Sequence, residues 1–258
     1  MLIESSSGIE QAAQKSPKIV LKQPFVPKTM VTNLNKSETK RMLGNFLKRR
    51  PGPESLIKHG ILKSEPVFGV TLREMKGQDL ILIMTFLSRC VQLIEDPSIL
   101  ECEGIYRKPG IQSRIQEARY KINQGDLDCL EKLDPVDKAY TLTGILKLFF
   151  RELKEPLISW EIFEKVGKSC PDKPLNVEEI RSELQKMPDP HYGILARLLK
   201  HLKVVSQYHE KNMMKAQNLA VCFSPSLIWA PQHLALHSMS MISVQNTFIE
   251  FILEYCIH

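Results

Sequence analysis

The sequence holds no paired cysteines. Its six cysteines (Cys90, Cys102, Cys129, Cys170, Cys222 and Cys256) are scattered through 258 residues with no CxxC spacing. That pattern gives no zinc signature, and a chain with this much core material has little use for a disulfide framework. Reduced, intracellular thiols are expected. A phosphate-cradling glycine loop, a GxSxG elbow and an HExxH pair are missing too. The seven histidines sit apart. His201 and His209 share a helical stretch at a spacing that suggests no common metal, and both read as surface or boundary residues. Carboxylate pairs such as Glu178 and Glu179 read as solvated helix termini. A self-contained active site is therefore not expected.

Long apolar runs are also lacking. The longest, LILIMTFL at 80–87, falls well short of the roughly 18 residues that would span a bilayer. The opening MLIESSSGIEQ has no basic-then-apolar order, so no signal peptide is expected. Strand-like alternation is nearly absent, and EPVFGVTL at 65–72 is a short extended candidate at most. At 43% hydrophobic and 25% charged, the composition is ordinary for a globular chain. One domain of about 150 to 200 residues plus an extension fits this length.

The net charge of +6 is unevenly placed. Residues 1–65 carry 12 lysines and arginines against 5 acidic residues, and the remainder carries 23 against 24. The main part is nearly neutral and lacks interleaved basic and aromatic residues, so no nucleic-acid partner is expected. Residues 1–36, rich in Ser, Lys, Gln, Asn and Pro, read as a disordered or linker segment. Residues 37–64 read as a basic amphipathic helix and connector. Ser37 is its cap, Met42, Leu43, Phe46 and Leu47 form its apolar stripe, and Pro51 is its stop. Lys40, Arg41, Lys48, Arg49 and Arg50 could hold this helix to an anionic membrane surface. Docking of the apolar stripe on the domain is the competing reading.

From Leu80 onward the apolar residues recur at helical spacing. Helices are expected over 79–96, 111–125 (ended by Gly125), 136–153, 191–209, 215–226 (closed before Pro225) and 243–256. The fold class is all-α, with the domain running from 65 to 258.

Within these helices a few polar residues stand out. Lys147 and Arg151, four apart, project from one face of an apolar helix. Asn218 falls between apolar turns of a helix that it does not favour. Arg107 sits in CEGIYRKPG between Gly104 and Gly110. Singly, each has a bland explanation: snorkelling at a helix edge, a locally satisfied amide, a solvated loop cation.

Taken in order, EGIYRKPG, LTGILKLFFRELKEPLI and KNMMKAQNLAVCFSPSL closely resemble the Rho-family GTPase-activating (RhoGAP) domain. That family shows a Gly-Ile-Phe-Arg-x-Ser-Gly loop, a Leu-Lys-x-Phe-x-Arg-Glu-Leu-Pro-x-Pro-Leu helix end and a Met-x-x-x-Asn-Leu-Ala helix. The resemblance covers residues 65–258 and implies a single helical bundle of about nine helices with an amino-terminal basic extension. It further implies an activator of Rho-family small GTPases, engaging them in their GTP-bound form. Mg and GTP would belong to the GTPase, so no cofactor or metal is implied for this chain.

Residue by residue, Arg107 matches the arginine finger that works in trans. Lys147 and Arg151 match the basic pair that braces the finger loop and touches the GTPase, and Asn218 matches an amide near the GTPase switches. Gly104 and Gly110 flank the loop. Pro156 and Pro225 match prolines that end two helices, and Val244 and Asn246 fall where some members contact the GTPase. Tyr106 replaces the common phenylalanine, Pro109 a serine, Lys154 a proline, Ser224 a glycine and His191 an asparagine. Pro109 stiffens the loop and removes a backbone donor. The implied setting is cytoplasmic, with recruitment to membrane through the basic segment. The alternative is a catalytically weak, GTPase-binding scaffold.

Overall fold

The computed structural model describes residues 65–168 and 174–256. The expected linker at 1–36 and the basic helix within 37–64 lie outside the described residues. Those residues are helical and contain no strand. Seven helices of nine residues or more form the bundle: α1 (Gly77–Ile94), α2 (Gln112–Asn123), α3 (Lys138–Glu152), α4 (Val177–Gln185), α5 (Asp189–Gln207), α6 (Ala216–Leu227) and α7 (Ile242–Tyr255). Shorter helical turns link them, including Pro97–Leu100 and His209–Asn212, and the expected total of about nine is reached by counting some of these.

Apolar stripes decide the packing. α1 has 18 residues and a mean hydropathy of 1.3, long and apolar enough to cross a bilayer. It serves instead as a core helix. Ile83, Phe86, Leu87, Cys90 and Ile94 face inward, and Arg89 on the outer side pairs with Asp128 and Glu131 at 2.9 Å each. α3 contributes Leu142, Ile145, Leu146, Leu148, Phe149 and Phe150 to the same core. Phe68, Phe86 and Phe149 stack with centroids 5.6 to 6.2 Å apart, tilted or edge to face as aromatic quadrupoles prefer.

The extended candidate at 65–72 is an irregular lead strip. Val67, Phe68, Val70 and Leu72 are all buried. A buried strip off any sheet must place its donors elsewhere. Here the N–H groups of Val67 and Phe68 both donate to Asn123 Oδ1, at 3.2 and 3.3 Å. Arg119 fastens the strip from outside, binding Glu65 and Glu152 and lying 5.4 Å from the Phe68 ring centre.

Three expectations about helix ends are resolved. Gly125, at φ +83°, ends α2 as expected: the chain leaves the helix through a left-handed turn that glycine adopts freely. Pro225 does not close its helix. α6 runs on to Leu227 with Pro225 inside it, because the lost bond falls in the last turn and the ring sits on the exposed side. Glu178 and Glu179 do occupy a helix terminus, the first turn of α4, where Asn176 caps the Glu179 N–H at 2.9 Å.

His191, at the start of α5, is buried, with Nε2 3.1 Å from Glu155 and Nδ1 without a partner among the described residues. Burial lowers its pKa below the ordinary 6.5, against the opposing pull of Glu155 and with help from Arg73. The unfolded chain therefore protonates first as pH falls. The associated stability is complete above about pH 6.5 and is lost as pH drops through the folded value. His191→Asn should flatten that part of the stability–pH curve, measured by urea denaturation between pH 5 and 7.5. An unchanged slope would contradict it.

Candidate functional site

Arg107 is placed by the two residues before it. Ile105 and Tyr106 are fully buried, while Arg107, Lys108 and Pro109 are exposed. Gly104 takes φ +71°, and its N–H donates to Asn212 O at 2.7 Å. The N–H groups of Arg107 and Lys108 fold back onto Gly104 O, at 2.9 and 2.8 Å. Gly110 is required for a different reason: a Cβ there would lie 2.6 Å from Tyr140 O. One glycine supplies a left-handed turn and the other a close backbone approach, so the loop is tied at both ends.

Tyr106 itself adopts φ +67°, a region that costs a non-glycine residue roughly 1–3 kcal/mol. Three contacts hold it there. Lys147 Nζ on α3 donates to the Tyr106 carbonyl. The ring meets Phe223 of α6 edge-on at 4.9 Å. The hydroxyl lies 2.6 Å from His201 Nε2, and His201 Nδ1 lies 2.9 Å from Glu95 Oε1. Burial pushes the Tyr106 hydroxyl well above its ordinary pKa, with Cys90 and Glu95 adding to the shift, so it remains a donor.

Lys147 is the half-buried member of the basic pair. Desolvation lowers its pKa; Cys222 opposes that, and the neighbouring Arg151 adds to it. Burial raises the Cys222 thiol pKa, while the charges of Lys147 and Arg107 pull it down. α3, α6 and the loop thus converge on one electropositive spot. Arg151, one turn beyond Lys147, is exposed. Asn218 on α6 donates through Nδ2 to Met213 O at 2.9 Å.

Two observations mark this region. Among the described residues, the non-glycine residues with positive φ are Tyr106 and Met213, at φ 67° and 61°. The carbonyl of one is held by Lys147 and that of the other by Asn218. Second, Arg107 and Arg151 have no side-chain hydrogen bond or ion pair among the described residues. Every other described arginine is engaged: Arg73, Arg89, Arg114, Arg119 and Arg181 with carboxylates, and Arg197 with Ser88 Oγ. Arg107 on this strained, well-anchored loop and Arg151 one turn beyond Lys147 thus leave two guanidiniums unpaired among the described residues, donors of the kind that suit anionic groups.

Val244 and Asn246 take a different part. Val244 is half-buried against the core, and Asn246 Oδ1 accepts from Ser224 Oγ. Ser224, buried where glycine is usual, thus has a partner on α7.

Two supporting residues escaped the sequence reading. His201 is buried, where a surface or boundary position was expected; its ring faces inward because Tyr106 and Glu95 satisfy both nitrogens. Asn212 is buried as well. Its Nδ2 donates to Leu100 O and Val205 O, both at 2.9 Å, and its Oδ1 accepts from Met214 N at 2.8 Å. Neither residue has a periodicity signal, because each is polar at a core position and its partners are distant in sequence. Asn212→Ala should cost about 3 kcal/mol of folding stability, since several buried backbone groups would lose partners together. A shift below about 1 kcal/mol in chemical denaturation would refute that role.

Comparisons with known proteins identify the family. The family model for the RhoGAP domain matches residues 85–232, a span that contains Arg107, Lys147, Arg151 and Asn218 but not Val244 or Asn246. Rho GTPase-activating protein 27 of Rattus norvegicus is 32% identical over 226 residues, covering 85% of this chain and 25% of the relative. Rho GTPase-activating protein 15 of Mus musculus is 31% identical over 228 residues, covering 86% and 46%. The chain thus spans less than half the length of these curated relatives. The crystal structure of human Rho GTPase-activating protein 15 superposes with a TM-score of 0.61 at 29% identity, covering 80% of this chain and 96% of that one. The BH domain of GRAF, a GTPase regulator associated with focal adhesion kinase, gives 0.55 at 27% identity, covering 66% and 90%. With a loop that presents an unpaired arginine from an all-helical scaffold, and a family model matched across it, this chain belongs to the RhoGAP domain family.

Proposed function

We propose that this chain stimulates GTP hydrolysis by Rho-family small GTPases in their GTP-bound form, inserting Arg107 in trans. The observation that carries the reading is the unpaired, exposed Arg107 on a loop whose every other anchor is satisfied. As the γ-phosphoryl transfers, negative charge redistributes toward the transferring group and the leaving oxygen. A guanidinium delivered there stabilises the transition state more than the ground state. A finger of this kind is worth about 10³ to 10⁵ in rate, roughly 4 to 7 kcal/mol. Its planar fork keeps its charge and donates several hydrogen bonds at once.

Position and the matched motifs support the remaining roles. Lys147, already spent on Tyr106 O, braces the loop. Arg151 and Asn218 face the docking partner, with Gly104 and Gly110 as the loop's turning points. Asn246, bonded to Ser224, ties α7 to α6, and with Val244 it is assigned to the GTPase contact. Mg and GTP arrive with the GTPase, so the chain brings no cofactor and acts as an activator rather than a self-contained enzyme. A cytoplasmic setting suits this role. The excess charge of residues 1–65 favours a second contact with anionic membrane, through Lys40, Arg41, Lys48, Arg49 and Arg50.

Arg107→Ala should lower stimulated single-turnover hydrolysis by about 10³ or more across a panel of Rho-type and Rac-type GTPases, with fold and binding largely kept. Arg151→Ala should weaken both affinity and maximal rate. Stimulation by Arg107→Ala equal to the parent's would remove the finger. If the parent binds a GTPase without accelerating it, the chain is a binding scaffold. For the membrane contact, deleting residues 1–50 should abolish co-sedimentation with phosphatidylserine vesicles; unchanged sedimentation would end that part of the proposal.

A further inference from the structure

We propose that Tyr106, His201 and Glu95 form a buried hydrogen-bonded chain that sets the aim of Arg107, with His201 as its central positioning residue. The proposal rests on the finger reading and adds to it a determinant that lies beneath the loop and outside the docking surface.

The other anchors leave one freedom of the loop open. Lys147 fixes the height of the Tyr106 carbonyl, and Phe223 offers one wall to the ring. Neither holds the far end of the ring against a sideways swing. Because Arg107 follows directly, a small pivot at Tyr106 swings the guanidinium through a much larger arc. A hydrogen bond at the far end of the ring is the contact best placed to stop that pivot. The Tyr106 hydroxyl makes one, 2.6 Å from His201 Nε2.

His201 is suited to that task. Its side chain is wholly buried, at 0% exposure, and Nδ1 lies 2.9 Å from Glu95 Oε1. A carboxylate only accepts, so Nδ1 carries the proton and donates to it. In the neutral ring this leaves Nε2 as the acceptor for the Tyr106 hydroxyl. Glu95 thereby selects the tautomer that can hold the loop. It sits at the carboxyl end of α1, partly exposed, so the chain of bonds runs from the end of α1 through α5 to the loop. Phenylalanine at 106 would leave Nε2 buried and unpaired, so in this chain the hydroxyl and the imidazole require each other.

The test uses the full chain with Tyr106→Phe, His201→Leu and the double variant. Arg107→Ala is included to test the finger, and His191→Asn as a control at a buried residue that bonds neither the loop nor its anchors. Three quantities are read: the saturating single-turnover rate with a GTP-loaded Rho-family GTPase, affinity for that GTPase bound to a non-hydrolysable analogue, and amide exchange at Arg107 and Lys108. Each single variant should lower the saturating rate about tenfold and speed loop exchange about tenfold, with affinity within about twofold. The double variant should fall no further than the worse single one, since both remove one shared bond. His191→Asn should leave rate and loop exchange unchanged. Should His201→Leu not fold, Tyr106→Phe carries the test alone. Parental rate and loop exchange in Tyr106→Phe, with Arg107→Ala inactive, would overturn the positioning role and leave the finger intact. If Arg107→Ala is as active as the parent, the finger falls. Loop exchange then decides the tether: acceleration in Tyr106→Phe supports it and parental exchange overturns it.

Discussion

A single contact, the Lys147 ammonium on the Tyr106 carbonyl, organises the site. It joins the longest apolar stretch of α3 to a loop whose conformation the chain would not otherwise keep. A tyrosine at φ +67° is strained on its own. A half-buried ammonium without an acceptor would also be costly. Each cost is met by the other group, and Arg107 is turned outward as the result. Desolvation lowers the Lys147 pKa, which marks how far this cation has been drawn from water to do so.

The same device recurs one element away. Met213, at φ 61°, ends the His209–Asn212 turn, and its carbonyl is held by Asn218 of α6. Asn212 lies between these two bends, accepting from Gly104 through its backbone while its side chain ties Leu100, Val205 and Met214 together. The loop therefore inherits its rigidity from α3, α5 and α6 at once. Arg107 needs no partner of its own among the described residues, so its guanidinium stays free at the surface. Where a scaffold already over-determines a loop, substitutions at its exposed tip, such as Pro109, change little of the anchoring beneath.

Much of this was legible in the amino-acid order. Helical periodicity marked α1, α2, α3, α5, α6 and α7, because a helix that buries one face must repeat its apolar residues at that spacing. α4 was visible only as a terminus at Glu178 and Glu179, since a nine-residue polar helix carries little periodic signal. The end of α6 was misread because Pro225 was taken as a stop, although a proline in the last turn removes little. Lys147, Arg151 and Asn218 could be picked out as polar residues within apolar helices, whereas Arg107, an ordinary loop cation by itself, stood out only through the resemblance of its motif.

Sequence order determined the fold class and the placement of charge, since these depend on local pattern and composition, and the resemblance of its motifs singled out the loop that carries Arg107. Only the tertiary structure decided what holds that loop. His201, Asn212 and Glu95 are ordinary polar residues until folding brings Tyr106, 95 positions away from His201, within 2.6 Å of its ring. Hydrogen bonds between groups so distant along the chain leave no periodic trace. Their geometry exists only once the apolar faces of α1, α3, α5 and α6 have packed.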